Sequence, residues 1–228
     1  MGLLKGKLDA APTTAYLMTY RPSKCAANCR FCSQARESHG RADILSRVSW
    51  PVFATGDILD AIANAAEQGT TKRVCIQALN YPEVFMHLVA LLRAIREKAN
   101  VPVSISCQPL NRERMKQLAQ AGAQRISIPL DAATEEIFDE VKGVYAGGPY
   151  KWKEQFELLG EAVEIFGKGN VSTHLITGLG ESEKQMVRTI QRCLDMGVLP
   201  ALFAFTPIHG TALESVRPPP VQKYRRVQ

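Results

Sequence analysis

The chain has 228 residues, 46% of them hydrophobic, which suits one compact domain with a sizeable core. Its 28 basic and 22 acidic residues give a formal net charge of +6, and this mild, scattered excess argues against a nucleic-acid partner. No apolar run approaches the ~20 residues that span a bilayer, and the first residues lack the apolar stretch of a signal peptide. With six cysteines and no export signal, we expect a cytoplasmic protein with no membrane partner.

Strand-like and helix-like segments alternate along the chain. The predicted strands are 14–20, 74–79, 103–107, 125–130, 171–177 and 200–206. The predicted helices are 58–68, 82–98, 111–121, 133–142, 152–166 and 181–196. Strands joined by crossover helices form parallel sheets. We therefore predict one α/β domain over residues 1–228, a partial (β/α)6 barrel of the TIM type, whose lateral side stays open because a closed barrel takes eight strands.

Four of the predicted strands carry polar residues at alternate positions, which would share the inner face of the barrel, its lumen. A closed barrel normally fills this space with branched apolar side chains. The polar positions therefore indicate a lumen wide enough for a cofactor and a substrate, unless each residue only makes local hydrogen bonds. They are Cys75, Gln77, Ser104, Ser106, Ser127, Asp131, Ser172 and His174.

Three cysteines, Cys25, Cys29 and Cys32, follow the first strand in a Cys-x3-Cys-x2-Cys pattern, with Phe31 just before the third. Three thiolates hold three irons of a four-iron cluster and leave the fourth iron open for chemistry. The alternatives are a structural zinc site, for which His39 is the nearest fourth ligand, disulfides, and unrelated buried thiols. The polar residues around the cysteines favour the cluster.

This motif resembles the signature of the radical S-adenosylmethionine (SAM) enzymes, and the chain is similar to their biotin-synthase-like branch from about residue 16 to 213. The resemblance implies a [4Fe-4S] cluster on the three cysteines of a cluster loop, residues 21–40, and SAM as the second cofactor. Segment 75–82 is similar to the part that binds the SAM amino group, and 125–131 to the ribose-binding part. Segments 175–182 and 203–213 are similar to parts that contact adenine. The implied SAM-binding residues are Phe31, Gln77, Asn80, Ser127, Asp131, Ile176, Gly178 and Thr206.

The chain also departs from biotin synthase, which holds a second, two-iron cluster on three barrel cysteines and an arginine. Cys75 falls on the first cysteine position, but Ser104 and Ser172 occupy the other two, and Pro129 stands where biotin synthase has an asparagine. The later strands that carry the arginine have no counterpart. We therefore do not expect biotin synthase itself. Cys75 is a candidate ligand or radical quencher and His174 a candidate substrate contact, but each could equally be a core residue.

The family chemistry predicts reductive cleavage of SAM to a 5′-deoxyadenosyl radical that abstracts hydrogen from the substrate. The branch suggests sulfur insertion into an octanoylated carrier protein or peptide, as in two-component archaeal-type lipoyl synthases. Methylthiolation, methylation, dehydrogenation and a non-enzymatic zinc- or cluster-binding module are the alternatives.

The partners expected from this reading are an electron donor such as ferredoxin or flavodoxin, and a second radical SAM protein or an acidic carrier. Arg225 and Arg226 would suit an acidic surface. We expect the C-terminal segment, residues 214–228, to be incomplete or to face that partner.

Overall fold

The computed structural model describes residue 3, residues 9–108 and residues 111–228. Six strands form one parallel sheet that curls into a half-barrel, in the order β1-β4-β5-β6-β7-β8. The predicted α/β partial barrel is therefore confirmed. A two-stranded antiparallel hairpin, β2-β3, lies after the cluster loop and was not predicted. The strands are β1 (Thr14–Met18), β2 (Ile44–Leu45), β3 (Val48–Ser49), β4 (Arg73–Gln77), β5 (Val103–Ser106), β6 (Ala123–Ser127), β7 (Val171–Thr177) and β8 (Leu199–Ala204).

Helices connect the strands of the sheet, as the alternation predicts. The connection between β6 and β7 carries two of them and a short 3-10 turn, Val144–Ala146. Across the described part of the chain, no helix has both the length and the hydrophobicity needed to cross a membrane. The helices are α1 (Thr55–Glu67), α2 (Val84–Lys98), α3 (Arg112–Ala121), α4 (Glu135–Val141), α5 (Trp152–Phe166), α6 (Glu183–Asp195) and α7 (Val221–Val227).

The two faces of the sheet differ in chemistry because side chains alternate along each strand. In β7, Val171, Thr173 and Leu175 are buried toward the helices, whereas Ser172 and His174 are only half-buried in the lumen. The apolar core therefore lies between the sheet and its helices, and the lumen is left for polar groups. Fully buried core side chains include Ile62, Ile76, Leu88, Leu92, Ile105, Met115, Ile126 and Phe138.

Side-chain caps fix where several helices begin. The Asn111 side chain accepts a hydrogen bond from the backbone of Arg114 at the start of α3. Thr134 does the same for α4, which begins at Glu135 rather than at the predicted residue 133. These caps satisfy backbone N–H groups that have no partner inside the helix. The cap at Thr134 matters most for the site, because it turns the chain into α4 just three residues after Asp131.

One side of the half-barrel is open. Within residues 9–108 and 111–228, β1 and β8 have no second strand neighbour in the sheet. Aromatic side chains on these two edges are exposed, with 58% of Tyr16 and 48% of Phe203 accessible to solvent.

The C-terminal helix α7 packs on the chain's own surface. The Tyr224 hydroxyl donates to the carbonyl oxygen of Leu202 in β8 at 2.9 Å, and Val227 is buried. Arg226 forms an ion pair with Glu183 of α6. The segment 214–228 is thus docked against β8 and α6, and its role in facing a partner stays a prediction.

Candidate active site at the carboxyl ends of the strands

The cluster loop lies over the carboxyl ends of the strands, where backbone contacts fasten it. The Ala26 N–H donates to the carbonyl oxygen of Asn80, just beyond β4, at 2.7 Å. The Arg30 N–H donates to the carbonyl oxygen of Val141 at the end of α4, at 2.8 Å. Because both anchors belong to the sheet and its helices, the loop keeps a fixed position relative to the lumen.

A partly buried network of hydrogen bonds also closes the cluster loop on itself. The Lys24 ammonium donates to the carbonyl oxygens of Ser33, at 2.6 Å, and Gly40, at 2.5 Å. The Gln34 side chain donates to the carbonyl oxygen of Ile44 at the start of the hairpin, at 2.7 Å. These contacts satisfy carbonyl groups that a loop would otherwise expose or leave unpaired. They also fix the path of the loop from Lys24 to the hairpin.

The three cysteines of the loop are free and half-buried. The Asn80 N–H points at the Cys25 sulfur at 3.1 Å, and the Gln34 N–H points at the Cys32 sulfur at 3.4 Å. Burial raises the pKa of Cys32 to about 11 and raises the pKa of Cys29 further. Both thiols are therefore protonated near pH 7, and binding of iron must displace their protons.

The number of thiols on the loop fits a cluster better than a structural zinc ion, which takes four ligands. Among the residues described, no three histidine, cysteine or acidic side chains are grouped closely enough to hold one metal ion. In a zinc site, bonds of roughly 2.3 Å bring all sulfur ligands to one point. In an iron–sulfur cluster each thiolate binds a different iron, so the sulfur atoms stand farther apart. Three free thiols on one loop supply the three ligands that the predicted [4Fe-4S] group needs, so the residues present fit it.

Asp131 occupies a strained turn directly beyond β6. Its φ angle is 66°, in a region that residues other than glycine rarely adopt. Two backbone bonds to β7 hold it there, from its own N–H to the oxygen of His174 at 2.7 Å and from the N–H of Ile176 to its oxygen at 2.9 Å. Strain of this kind persists only where the surroundings enforce it, and it is concentrated at functional sites.

The carboxylate of Asp131 forms a buried ion pair that the sequence analysis missed. The Lys142 Nζ lies 2.6 Å from Asp131 Oδ2 and 2.7 Å from the carbonyl oxygen of Pro129. The Lys142 side chain is 2% exposed and that of Asp131 11%. A lysine at the end of a helix is normally solvated, so nothing in the sequence distinguished Lys142. The other carboxylate oxygen, Oδ1, accepts no hydrogen bond from the described residues.

Lys142 also links the ion pair to the cysteine loop. Its Nζ lies 5.6 Å from the ring centre of Phe138 and 5.1 Å from that of Tyr150. Its positive charge opposes the effect of burial on the pKa of Cys29, which reflects its nearness to that thiol. The Tyr150 hydroxyl accepts a hydrogen bond from the Asn80 side chain at 3.0 Å. One polar network therefore joins Asn80, Tyr150, Lys142 and Asp131 beneath the cysteines.

Deeper in the lumen, Cys75, Gln77, Ser127 and His174 line one cleft of about 200 Å³. The Gln77 amide lies 3.6 Å from the Cys75 sulfur, and burial raises the pKa of that thiol. Burial lowers the pKa of His174, so its ring is neutral at pH 7. The ring packs edge-on against Phe203, with centres 5.2 Å apart.

The predicted adenine contacts lie where β7 and β8 end. Ile176 faces the lumen, and Thr206 is half-buried just beyond β8. Gly178 has a φ of 104°, and its N–H donates to the Glu181 carboxylate at 2.9 Å. Phe31 packs partly buried against the core below the cluster loop. The predicted site residues thus form two groups. The upper group, at the strand ends and the cluster loop, is Phe31, Asn80, Asp131, Ile176, Gly178 and Thr206, and the lower group, in the cleft, is Cys75, Gln77, Ser127 and His174. Their contacts with SAM stay predictions.

A family model described as the radical SAM superfamily matches residues 20–193. The chain belongs to this superfamily. The match begins directly after β1 and ends in α6, so it contains the cluster loop, the Asp131–Lys142 pair and most of the lumen. Members of this superfamily combine a [4Fe-4S] cluster with SAM, in agreement with the donor set of the loop.

Several biotin synthases are similar to this radical SAM protein. It is 26% identical to that of Acidothermus cellulolyticus over 182 residues, which cover 79% of this chain and 50% of the relative. It is 23% identical to that of Chlamydia pneumoniae over 90% of this chain and 60% of the relative. The chain therefore spans about half the length of the curated relatives it matches.

Among solved structures, the FeFe-hydrogenase maturase HydG from Carboxydothermus hydrogenoformans superposes with a TM-score of 0.70 and 17% identity, covering 94% of this chain and 50% of HydG. At this identity the likeness establishes the fold of the radical SAM half-barrel and nothing about the substrate.

Cys29→Ala should prevent this radical SAM protein from holding its cluster, because two remaining thiolates leave two irons without a protein ligand. Iron and sulfide per chain are measured after anaerobic reconstitution. Cys193→Ala is the control, because Cys193 is buried in α6 far from the loop. Equal iron content in the two variants would contradict the assignment.

Lys142→Met should lower the free energy of unfolding by about 3–5 kcal/mol, because it leaves the Asp131 carboxylate buried without its partner. Urea denaturation of the metal-free protein measures the change. The double variant Asp131→Leu/Lys142→Met should lose less stability than Lys142→Met alone, because it removes both buried charges. Asp131→Leu completes the cycle, and a loss in the double variant equal to the sum of the two single losses would show that the pair does not couple.

Proposed function

We propose that this chain binds a [4Fe-4S] cluster through Cys25, Cys29 and Cys32 and cleaves SAM reductively. The observation that carries the proposal is the fixed loop of three free thiols, set above a buried ion pair and open toward a polar lumen. When bound, the cluster would supply the electron for reductive cleavage of SAM to methionine and the 5′-deoxyadenosyl radical. The electron would come from a donor such as ferredoxin or flavodoxin.

In this proposal the residues of the upper group hold SAM. Asp131 Oδ1 accepts hydrogen bonds from the ribose hydroxyls, because a carboxylate at a strand end is well suited to them. The side chain of Ile176 packs on adenine. The positive charge of Lys142 favours the methionine carboxylate on the side of the cysteines. Asn80 serves the amino group, with Gly178, Thr206 and Phe31 completing the pocket, while Gln77 and Ser127 line the cleft below it.

The chain's further task is to exclude water and position the substrate, because a primary carbon radical reacts with any loose hydrogen donor. Support comes from the geometry of the lumen, which opens below the cysteines and is lined by His174 and Cys75. All six cysteines are free, which supports work in a reducing compartment such as the cytoplasm.

We propose sulfur insertion as the reaction on the substrate. Its support is the likeness to biotin synthases, and an octanoylated carrier protein or peptide stays the predicted substrate by analogy with lipoyl synthases. Ser104 and Ser172 stand where the biotin synthase pattern has cysteines, so Cys75 alone could not hold a second cluster there. The sulfur atom would therefore be supplied by a partner protein.

We also propose that this partner, a second radical SAM protein or an acidic carrier, covers the open side of the half-barrel. Exposed Tyr16 and Phe203 on the two sheet edges support this, because an edge beside a radical site needs protection from water. Charge supports it less than the sequence suggested. Arg226 already pairs with Glu183, so Arg225 is the cation of that helix end with no carboxylate within 4.0 Å among the described residues.

The central test is anaerobic incubation of the reconstituted protein with SAM and dithionite. We expect 5′-deoxyadenosine and methionine to form in equal amounts, because one bond cleavage yields both. Cys32→Ala should abolish the products, and Cys193→Ala should not. A reconstituted protein that holds its iron but forms no 5′-deoxyadenosine would contradict the proposal.

The partner proposal predicts that substrate conversion by the isolated chain is slow. Addition of the partner should raise product formation and also slow hydrogen–deuterium exchange in β1 and β8, because their edges become covered. Full turnover of a free small molecule by the isolated chain, with unprotected edges, would contradict it.

A further inference from the structure

Two arginines face the lumen near the amino ends of the strands, well below the cysteines. Arg73 opens β4, and Arg125 lies in β6 in register with Ser104 of the strand between them. Arg73 donates to the Ser104 hydroxyl at 2.9 Å and to the Gln124 side chain at 2.5 Å. Arg125 is exposed, lines the lumen cleft and donates no side-chain hydrogen bond to any residue the structure describes. Arg73 does not line the cleft itself but adjoins it through Ser104, which does.

The two positive charges lie close together without compensation. Over residues 9–108 and 111–228, neither arginine has a carboxylate within 4.0 Å, although eleven ion pairs occur elsewhere in those residues. Burial, and then the charge of Arg125, lowers the pKa of Arg73. Like charges at the floor of a cleft repel each other, and a fold that keeps them there gains by binding an anion.

A second feature of the cleft also indicates a ligand. The Ser127 hydroxyl is buried, with 8% of the residue exposed, and has no hydrogen-bond partner. Burying such a group unpaired costs roughly 1–3 kcal/mol, so unpaired hydroxyls are rare in folded proteins. Ser127 lines the same cleft as Arg125, as do Ser106 and Ser172. Hydroxyls around an arginine pair match the several lone pairs of a carboxylate or phosphate.

The size of the cleft limits what can bind. Its volume of about 200 Å³ is below the roughly 300–1,000 Å³ of sites for drug-sized ligands. The occupant is therefore a small molecule or the end of a longer one. Neutral His174 lies on the wall between the arginine floor and the mouth, so the wall adds no competing charge.

We propose that this cleft holds the substrate of the radical reaction by an anionic group, a carboxylate or a phosphate, bound by Arg73 and Arg125. The inference rests on the proposed function, in that the molecule below the SAM site is the one that loses hydrogen. With its charged end on the cleft floor, the C–H bonds of such a molecule lie nearer the mouth and the SAM site. The octanoyl chain predicted by analogy with lipoyl synthases has no charged end for this floor, so an anionic substrate is the alternative to it that the cleft supports.

Equilibrium dialysis of radiolabelled hexanoate against the reconstituted protein, in buffer free of phosphate, tests the proposal. Hexyl phosphate and hexanamide serve as competitors. Hexanamide has the same chain without the charge, and hexyl phosphate distinguishes a phosphate site from a carboxylate site. The test variants are Arg73→Gln and Arg125→Gln, and the second breaks no hydrogen bond to a described residue. Arg188→Gln, on the exposed face of α6, is the control.

We expect Arg125→Gln to weaken hexanoate binding about tenfold or more, as loss of a charge-assisted hydrogen bond predicts. Arg125→Lys should recover part of it, and Arg188→Gln should change nothing. Tighter binding of hexyl phosphate than of hexanoate would assign the site to phosphates. Competition by hexanamide equal to that of hexanoate, or unchanged binding in both Arg73→Gln and Arg125→Gln, would overturn the proposal.

Formation of 5′-deoxyadenosine is measured on the same protein samples. This distinguishes failure of the proposed SAM cleavage from failure of the proposed anion site. SAM cleavage without arginine-dependent hexanoate binding would refute the anion site and leave the proposed function standing. Arginine-dependent binding without SAM cleavage would keep the anion site and refute the function.

Discussion

The buried pair of Lys142 and Asp131 is the interaction on which the geometry of the site depends. It joins Lys142, at the C-terminal end of α4, to Asp131 in the strained turn after β6. It also brings a positive charge beneath Cys29. Buried ion pairs often add little net stability compared with apolar packing, whereas removal of one partner is costly. The value of this pair lies in position: it fixes a carboxylate oxygen and an ammonium group at the strand ends before any ligand arrives.

The sheet has an apolar face toward the helices and a polar face toward the lumen, because side chains alternate along each strand. Outward-facing residues such as Ile76 and Leu175 are fully buried against the helices, where they form part of the apolar core. Inward-facing positions are therefore free to carry charges and hydroxyls that a closed core would not tolerate. Two polar zones result, one at the strand ends and one on the cleft floor, and a molecule between them would contact both.

Sequence alone predicted the alternation of strands and helices, the half-barrel and the loop of three cysteines, because periodicity and spacing are local signals. It could not predict the partner of Asp131, because Lys142 resembles any lysine at a helix end until tertiary packing buries it. It also ranked Arg226 as a surface charge for a partner, whereas a contact with Glu183, 43 residues away, already neutralises it. The two lumen arginines could not be predicted, because Arg73 precedes the predicted strand 74–79 and Arg125 is the first residue of the predicted strand 125–130, where an arginine is usually solvated.

Gly178 is constrained both by its backbone conformation and by its contact with the C-terminal segment, so the effect of a substitution there is hard to interpret. Its φ of 104° suits glycine, and an added Cβ would stand 2.7 Å from a ring carbon of Pro219 in the C-terminal segment. Any side chain there must therefore push away the segment that leads into α7. Loss of activity after substitution of this glycine would confound a damaged nucleoside pocket with a displaced tail, so the residue is a poor reporter of cofactor recognition even though its motif drew attention to it.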